Sequence, residues 1–253
     1  MQQENSWSDL QRRYYEDRQH TYLQPGQGGL YARKIAQNLS ERIGLPTTAH
    51  GLEIGCGAGR FTIPLLEHFE SLSVIDLSDR QLGLLSGELE REGIDAQRCS
   101  LNRGDIDQAD QMFPAGHFDF VVGVFVLHHL QDAGQSIQTL AKLVKPGGRA
   151  VFLEPNRWNP LFTLQILFLK DISYQEEKMM YRLSAKRLRQ FFGDAGLVDV
   201  EIDRNGFFPP QILNRFSSAL AIEHRLEKSR ILNPLLPFQL VRGTQPDRPA
   251  ASI

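Results

Sequence analysis

The spacing of apolar positions changes along this chain. Residues 30–43 place Leu30, Ile35, Leu39 and Ile43 at roughly helical intervals, and Pro46 opens a loop behind them. From His50 onward, short apolar runs alternate with longer amphipathic stretches. The runs at 51–54, 72–75, 118–123 and 150–153 predict strands, with a fainter strand pattern at 96–100. The stretches at 61–68, 79–92 and 135–144 predict helices. Residues 145–148, Lys-Pro-Gly-Gly, predict a helix stop followed by a turn. Alternation of this kind predicts an α/β fold, a parallel sheet with helices on both faces.

After Glu154 the rhythm breaks. Residues 155–170 predict an insertion, 184–195 a helix ended by Gly196, and 198–202 a strand. Residues 207–230 predict a helix introduced by Pro209 and Pro210, and 238–242 a last strand. Two late strands joined by an excursion are compatible with an antiparallel edge on a parallel sheet. At the other end, residues 5–24 are aromatic and charged and predict a helix with an extended tail, closed by the breaker at 24–29. The expected organisation is an N-terminal helical cap at 1–45 and one α/β domain at 46–243. Helical insertions are expected at about 156–181 and 207–232, and a flexible tail at 244–253.

Composition narrows the function. With 253 residues, one globular domain with a small appendage is expected. The 28 basic and 30 acidic residues nearly cancel, which argues against a dedicated nucleic-acid binder. Two cysteines, Cys56 and Cys99, are too few for a disulfide scaffold or a Cys-rich zinc module. The polar N-terminus shows no signal-peptide pattern, and no apolar run approaches the roughly 20 residues that span a bilayer. A cytoplasmic protein is expected. Lys178, Arg182, Lys186, Arg187 and Arg189 form a basic stretch, read as a solvated helix face or as a peripheral membrane contact.

Candidate chemistry centres on residues 52–61, Leu-Glu-Ile-Gly-Cys-Gly-Ala-Gly-Arg-Phe. An apolar strand runs into glycines and then into a helix, so a ligand is able to lie against bare backbone at the carboxyl edge of the sheet. Asp76 ends the next strand about 20 residues later, where an acid accepts from ribose hydroxyls. The alternative for Asp76 is a cap on the following helix, a place Ser78 or Asp79 fills equally well. A dinucleotide loop would need glycine at position 60; Arg60 stands there instead, which disfavours an NAD-type oxidoreductase.

These segments resemble the class I S-adenosylmethionine-dependent methyltransferases, closest in flavour to the small-molecule, ubiquinone-biosynthesis type. The resemblance rests on LEIGCGAGRFT, VIDLSDRQL, RGDIDQ, FDFVVGVFVLHHL and LVKPGGRAVFLEPN, in the family's order, and covers residues 50–155. It implies a Rossmann-like, doubly wound, seven-stranded sheet, mostly parallel with an antiparallel last strand, under a helical substrate cover. It implies S-adenosyl-L-methionine as cofactor. Glu53, Gly55, Cys56, Gly57 and Gly59 would line the methionine part, with no chemistry assigned to the Cys56 thiol. Asp76 would bind ribose, Leu77 would pack on adenine, Asp105 would accept from the adenine amine, and Ile106 would sandwich the ring. Val124 would offer backbone to the amino-acid end. The alternative for Asp105 is the N-cap of a short helix.

Methyl transfer to a hydroxyl, acidic carbon or protonated amine requires loss of a proton, so a base helps. His128 and His129, past the fourth strand, are the candidate catalytic residues; the bland alternative is that they fix the loop. The substrate cover is expected from Tyr14, Tyr15, His20 and Tyr22 in the N-terminal segment, from Asn156 and Trp158 after strand five, and from residues 206–216. These segments are aromatic or aliphatic, which suits an apolar or aromatic small-molecule acceptor. No metal is expected, since no carboxylate cluster stands in the matched loops. Two alternatives stay open: a nucleic-acid or protein methyltransferase, and a cofactor-binding module without catalysis.

Overall fold

The computed structural model describes residues 29–159 and 182–247. Tyr14, Tyr15, His20, Tyr22, Lys178 and the greater part of the insertion expected after strand five lie outside them. Helix α1 (Gly29–Ile43) buries Tyr31, Ala32, Ile35, Ala36, Leu39 and Ile43 as one stripe. The domain then alternates: β1 (His50–Ile54), α2 (Thr62–Leu66), β2 (Ser71–Asp76), α3 (Asp79–Arg91), β3 (Cys99–Arg103), α4 (Ala109–Met112), β4 (Phe118–Val124), α5 (Ala133–Leu143) and β5 (Val144–Pro155). After the undescribed stretch come α6 (Ala185–Asp194), β6 (Val198–Asn205), α7 (Pro210–Arg215), α8 (Ala219–Glu227) and β7 (Phe238–Thr244).

The seven strands form one sheet in the order β3-β2-β1-β4-β5-β7-β6. β1 to β5 pair in parallel, and β7 runs antiparallel to both β5 and β6. Central strands are buried on both faces: Val151 and Leu153 join the core on one side, Ala150 and Phe152 the core on the other. Helices α1, α2 and α3 cover the first face, α5 and α6 the second. The order of crossovers reverses between β1 and β4, which opens a crevice at their carboxyl ends.

Caps set several boundaries. Ser78, Asp132 and Ser184 each accept, through a side-chain oxygen, a backbone N–H at the start of α3, α5 and α6. The third strand starts at Cys99, because Asp95 caps a 3-10 turn over Ala96–Arg98 that the faint strand pattern had covered. Residues 145–148 are the start of β5, not a free turn; Gly147 sits at φ 75° where the register against β4 shifts. The expected helix over 207–230 is two helices broken at Phe216 to Ser218. The last strand runs through Thr244, which pairs with Arg149, and Gln245 donates to the Gly148 carbonyl at 2.9 Å, so the segment expected as a tail starts inside the sheet. Lys186, Arg187 and Arg189 are exposed on α6. No helix among the described residues is long and apolar enough to cross a membrane.

Candidate active site

The floor of the crevice is the loop after β1. Gly55, Gly57 and Gly59 take φ values of 64°, 51° and 85°, a region closed to most side chains. A Cβ on Gly55 would stand 2.6 Å from Val126 and one on Gly59 2.4 Å from Leu85, so both glycines are packed from behind. At Gly57 the nearest atom is Gln81 Oε1 at 3.9 Å. Gly57 therefore borders open space, where a ligand would approach bare backbone.

Asp76 closes this loop from β2. Its Oδ2 accepts from the Gly57 N–H at 2.9 Å and its Oδ1 from the Ser78 N–H at 3.0 Å. The cap of α3 is Ser78, so Asp76 is left to the crevice side. Burial raises the Asp76 carboxyl, and the N–H groups of Ser78, Gly57 and Leu77 pull back against that rise. Glu53 lies deeper, 2% exposed on β1, and its Oε2 has no hydrogen-bond partner. Burial pushes its carboxyl up to about 8, against a nearby Thr62 hydroxyl, and the Asp76 charge adds to the rise. Gln81 Oε1 is a second buried acceptor without a partner. Unsatisfied buried acceptors are costly. A ligand bringing an ammonium, a sulfonium or ribose hydroxyls supplies the missing donors and positive charge, so these residues fit S-adenosylmethionine.

The loops after β2 and β3 meet: the Gly104 N–H donates to the Asp76 carbonyl at 3.0 Å. This brings half-buried Leu77 and Asp105 and buried Ile106 to neighbouring strand ends. Asp105 caps the 3-10 turn over Ile106–Gln108, with Oδ1 accepting from the Asp107 N–H at 3.0 Å. A carboxylate has acceptor sites enough for that bond and a ligand amine together. Cys56 is buried beside Glu53, and burial raises its thiol well above the usual range, which keeps it unreactive. Arg60 places its guanidinium over the rings of Tyr31, at 5.1 Å, and Phe61, at 5.3 Å.

At the end of β4, Val124 is followed by Phe125 at φ 55°, an uncommon conformation for a bulky residue. Its N–H donates to the Leu153 carbonyl at 2.8 Å, and its ring faces Phe61 and Phe238 at 6.2 and 5.0 Å. Strain of this kind clusters at ligand sites. Next come the two histidines, their rings 4.0 Å apart. His128 Nδ1 lies 2.6 Å from Glu154 Oε2, with both side chains buried. Glu154 Oε1 accepts from the Val126 and Leu127 N–H groups at 3.0 and 2.8 Å. Burial, with His128 as neighbour, pushes the His129 imidazole well below its usual range. Among the described residues no three His, Cys, Asp or Glu side chains converge as metal ligands.

The sequence reading placed Glu154 only at the start of the cover segment after strand five, and gave Phe125 no role. The available signal was an acid closing the apolar run AVFLEP of a central strand. Asn156 is fully buried: its Nδ2 donates to the Pro234 and Leu236 carbonyls at 2.9 and 2.7 Å, and its Oδ1 accepts from the Trp158 N–H. Its amide braces the start of the excursion, a different place from the acceptor-facing one expected. Trp158 is 63% exposed, under the Arg157 guanidinium.

A family model described as a methyltransferase domain matches residues 24–202 of the chain. A demethylmenaquinone methyltransferase of Lactiplantibacillus plantarum is 28% identical over 186 residues, which are 66% of this chain and 77% of the relative. A ubiquinone biosynthesis O-methyltransferase of Caulobacter vibrioides is 31% identical over 123 residues, 48% of this chain and 44% of the relative. Among solved structures, a phosphoethanolamine N-methyltransferase of Haemonchus contortus, in complex with phosphomonomethylethanolamine and S-adenosylhomocysteine, aligns with TM-score 0.62 at 16% identity. That alignment covers 93% of this chain and 60% of that one, and it shows the shared fold.

Proposed function

The chain belongs to the methyltransferase-domain family and depends on S-adenosylmethionine, and on that premise we propose that it methylates a small, apolar or aromatic organic acceptor. What supports the acceptor class is the aromatic cluster at the end of β4: half-buried Phe125 stands between Phe61 and half-buried Phe238, next to the glycine loop. Aromatic faces of this kind stack on a planar ring. The names of the two sequence relatives point the same way, towards quinone-type rings.

In this reading Glu53 and the backbone of Gly55, Cys56, Gly57 and Gly59 hold the methionine part of the cofactor, with Val124 at its amino-acid end. Asp76 takes the ribose hydroxyls; Leu77, Asp105 and Ile106 enclose adenine. When bound, the cofactor would supply an electrophilic methyl group on a sulfonium, whose sulfur becomes neutral when an acceptor lone pair takes the methyl. His128 or His129 takes the proton that the acceptor gives up. The aromatic cluster positions the acceptor in line and excludes water. Tyr14, Tyr15, His20 and Tyr22 complete the cover, with Trp158 at the start of the excursion.

The test is an acceptor screen with methyl-labelled cofactor against planar phenols, quinols, amines and lipophilic acids, read by mass spectrometry. Label is expected in an aromatic small molecule. Label appearing only in protein or nucleic acid would overturn the acceptor class. Binding of S-adenosylhomocysteine with no transfer to any acceptor would leave a cofactor-binding module.

A further inference from the structure

In the sequence Arg60 marks the place where a third glycine is missing; in the structure it is a cation without an anion. Its side chain is half-buried, and Nε is shut off from water with no hydrogen-bond partner. A guanidinium carries five N–H donors, and among the described residues none accepts from Arg60 or forms an ion pair with it. Cations nearby are matched. Lys34, three residues on from Tyr31, meets Glu223 and Glu227, and Arg33 meets Glu67. What holds Arg60 is a pair of rings, Tyr31 at 5.1 Å and Phe61 at 5.3 Å. Ring faces attract the charge, but they leave the donors unused. Burial lowers the guanidinium from its usual value, and no carboxylate acts to raise it again. A desolvated cation in this state is unfavourable until an anion joins it.

We propose that Arg60 binds a carboxylate on the acceptor, which makes the substrate class an aromatic acid; this rests on the reading of the aromatic cluster as the acceptor site. Phe61 belongs to both halves of the argument. The Arg60 guanidinium lies over its ring, and Phe125 meets the same ring at 6.2 Å, with Phe238 beyond at 5.0 Å. A planar acceptor lodged at this cluster has the guanidinium one ring away. Its acid therefore sits on the ring or on a short arm. The planar fork of a guanidinium matches a carboxylate through two parallel bonds. A phosphate dianion would call for a second cation, and Lys34 is already engaged by two carboxylates. The cofactor also carries a carboxylate. Its methionine part is assigned above to Glu53 and the backbone of the glycine loop, whereas the guanidinium stands against Tyr31 of α1.

The test is calorimetry on the full chain saturated with S-adenosylhomocysteine, at about pH 7.5, where a carboxylic acid is ionised. The titrants are matched pairs: benzoate and benzamide, cinnamate and cinnamamide, 2-naphthoate and 2-naphthamide, with hexanoate and hexanamide as the aliphatic pair. An aromatic acid is expected to bind about tenfold tighter than its amide, or more. Arg60→Met keeps an apolar stem between the two rings and should reduce that preference to about twofold or less, with S-adenosylhomocysteine affinity within about twofold of native. Arg60→Lys keeps the charge and loses the fork, so it should retain only part of the preference. Native protein that binds no aromatic acid tighter than its amide overturns the proposal. So does a preference that survives in Arg60→Met, or a loss of S-adenosylhomocysteine affinity in that variant, which would give Arg60 to the cofactor. If Arg60→Met does not fold, the native pairs and Arg60→Lys decide, and a full preference in Arg60→Lys counts against the fork. Hexanoate binding as tightly as the aromatic acids, through Arg60, would keep the carboxylate site and remove the aromatic reading beneath it. Aromatic amides binding as tightly as the acids would do the reverse.

Discussion

A carboxyl buried as deeply as Glu53 makes stability depend on pH. Its folded value of about 8 stands above the ordinary 4.5. Between those values the unfolded chain has released a proton that the folded chain keeps, so the contribution is fully present below 4.5 and is lost as pH rises through 8. Asp76 is shifted in the same direction and adds the same sign. Denaturant unfolding of the ligand-free protein should therefore show stability falling from pH 5 to pH 8.5, with a smaller slope in Glu53→Gln, which has no proton to lose. Equal slopes would mean that Glu53 is ionised in the fold. Asp76 has a second consequence. Its carboxylate takes the Gly57 and Ser78 N–H groups and, in the proposed function, the ribose hydroxyls. Asp76→Ala should weaken S-adenosylhomocysteine by about 1.5–3 kcal/mol, roughly 10- to 150-fold, by calorimetry. Unchanged affinity in a folded variant would leave Asp76 as a brace of the glycine loop alone.

Between elements, the feature with the largest stake is the ion cluster joining α1 to α8. Lys34 Nζ meets Glu223 and, at 2.6 Å, Glu227; Glu223 is 1% exposed. The two carboxylates also accept the Phe208 and Gly206 N–H groups, at 2.7 Å each, which ties down the loop after β6. Removing Lys34 leaves Glu223 buried without its cation, so Lys34→Ala should destabilise by about 3 kcal/mol in urea unfolding. A change under 0.5 kcal/mol would mean that water replaces the ammonium. This cluster was invisible in the sequence, because its partners lie 189 residues apart. The alternation of β1 to β5 was legible, since each strand reads as an apolar run and each helix has its own period. So was the glycine loop, whose φ values need glycine. The start of β3 was not legible: Arg98 donates to the Glu70, Leu66 and Phe69 carbonyls, and these contacts from distant residues hold 96–98 in a 3-10 turn. Nor was the bend in β6, where Asp199 at φ 51° lets the register shift against β7. Glu154 belongs with these: its acid was plain in the sequence, but the groups it holds, the Val126 and Leu127 N–H and the His128 ring, lie in the loop after β4.

For the molecule as a whole, the question is what closes the crevice. The described residues start at Gly29 and break off at Asn159. At Gly29 the chain begins α1 against α7, where the Tyr31 N–H donates to Asn214 Oδ1 at 2.8 Å. At Asn159 it departs beside Leu235, whose carbonyl accepts from the Asn159 amide at 2.6 Å, five residues past Glu154. Two residues past Gly29, the Tyr31 ring lies under the Arg60 guanidinium next to the glycine loop, and Asn159 lies five residues past Glu154, the partner of His128. Residues 1–24 carry three tyrosines, Tyr14, Tyr15 and Tyr22, side chains suited to a surface that is apolar on one side and wet on the other. In the proposed function they form a lid over the acceptor, and lids gate substrate capture and product release. The cofactor's contacts come from strand ends and glycine backbone, independent of that segment. Deleting residues 1–24 should therefore leave S-adenosylhomocysteine affinity nearly unchanged while turnover falls at least tenfold, about 1.4 kcal/mol of lost transition-state stabilisation. Calorimetry and labelled-methyl transfer on the same preparation check both halves. Full turnover in the folded, truncated protein would place the lid elsewhere. Loss of cofactor binding along with activity would place residues 1–24 in the cofactor site instead.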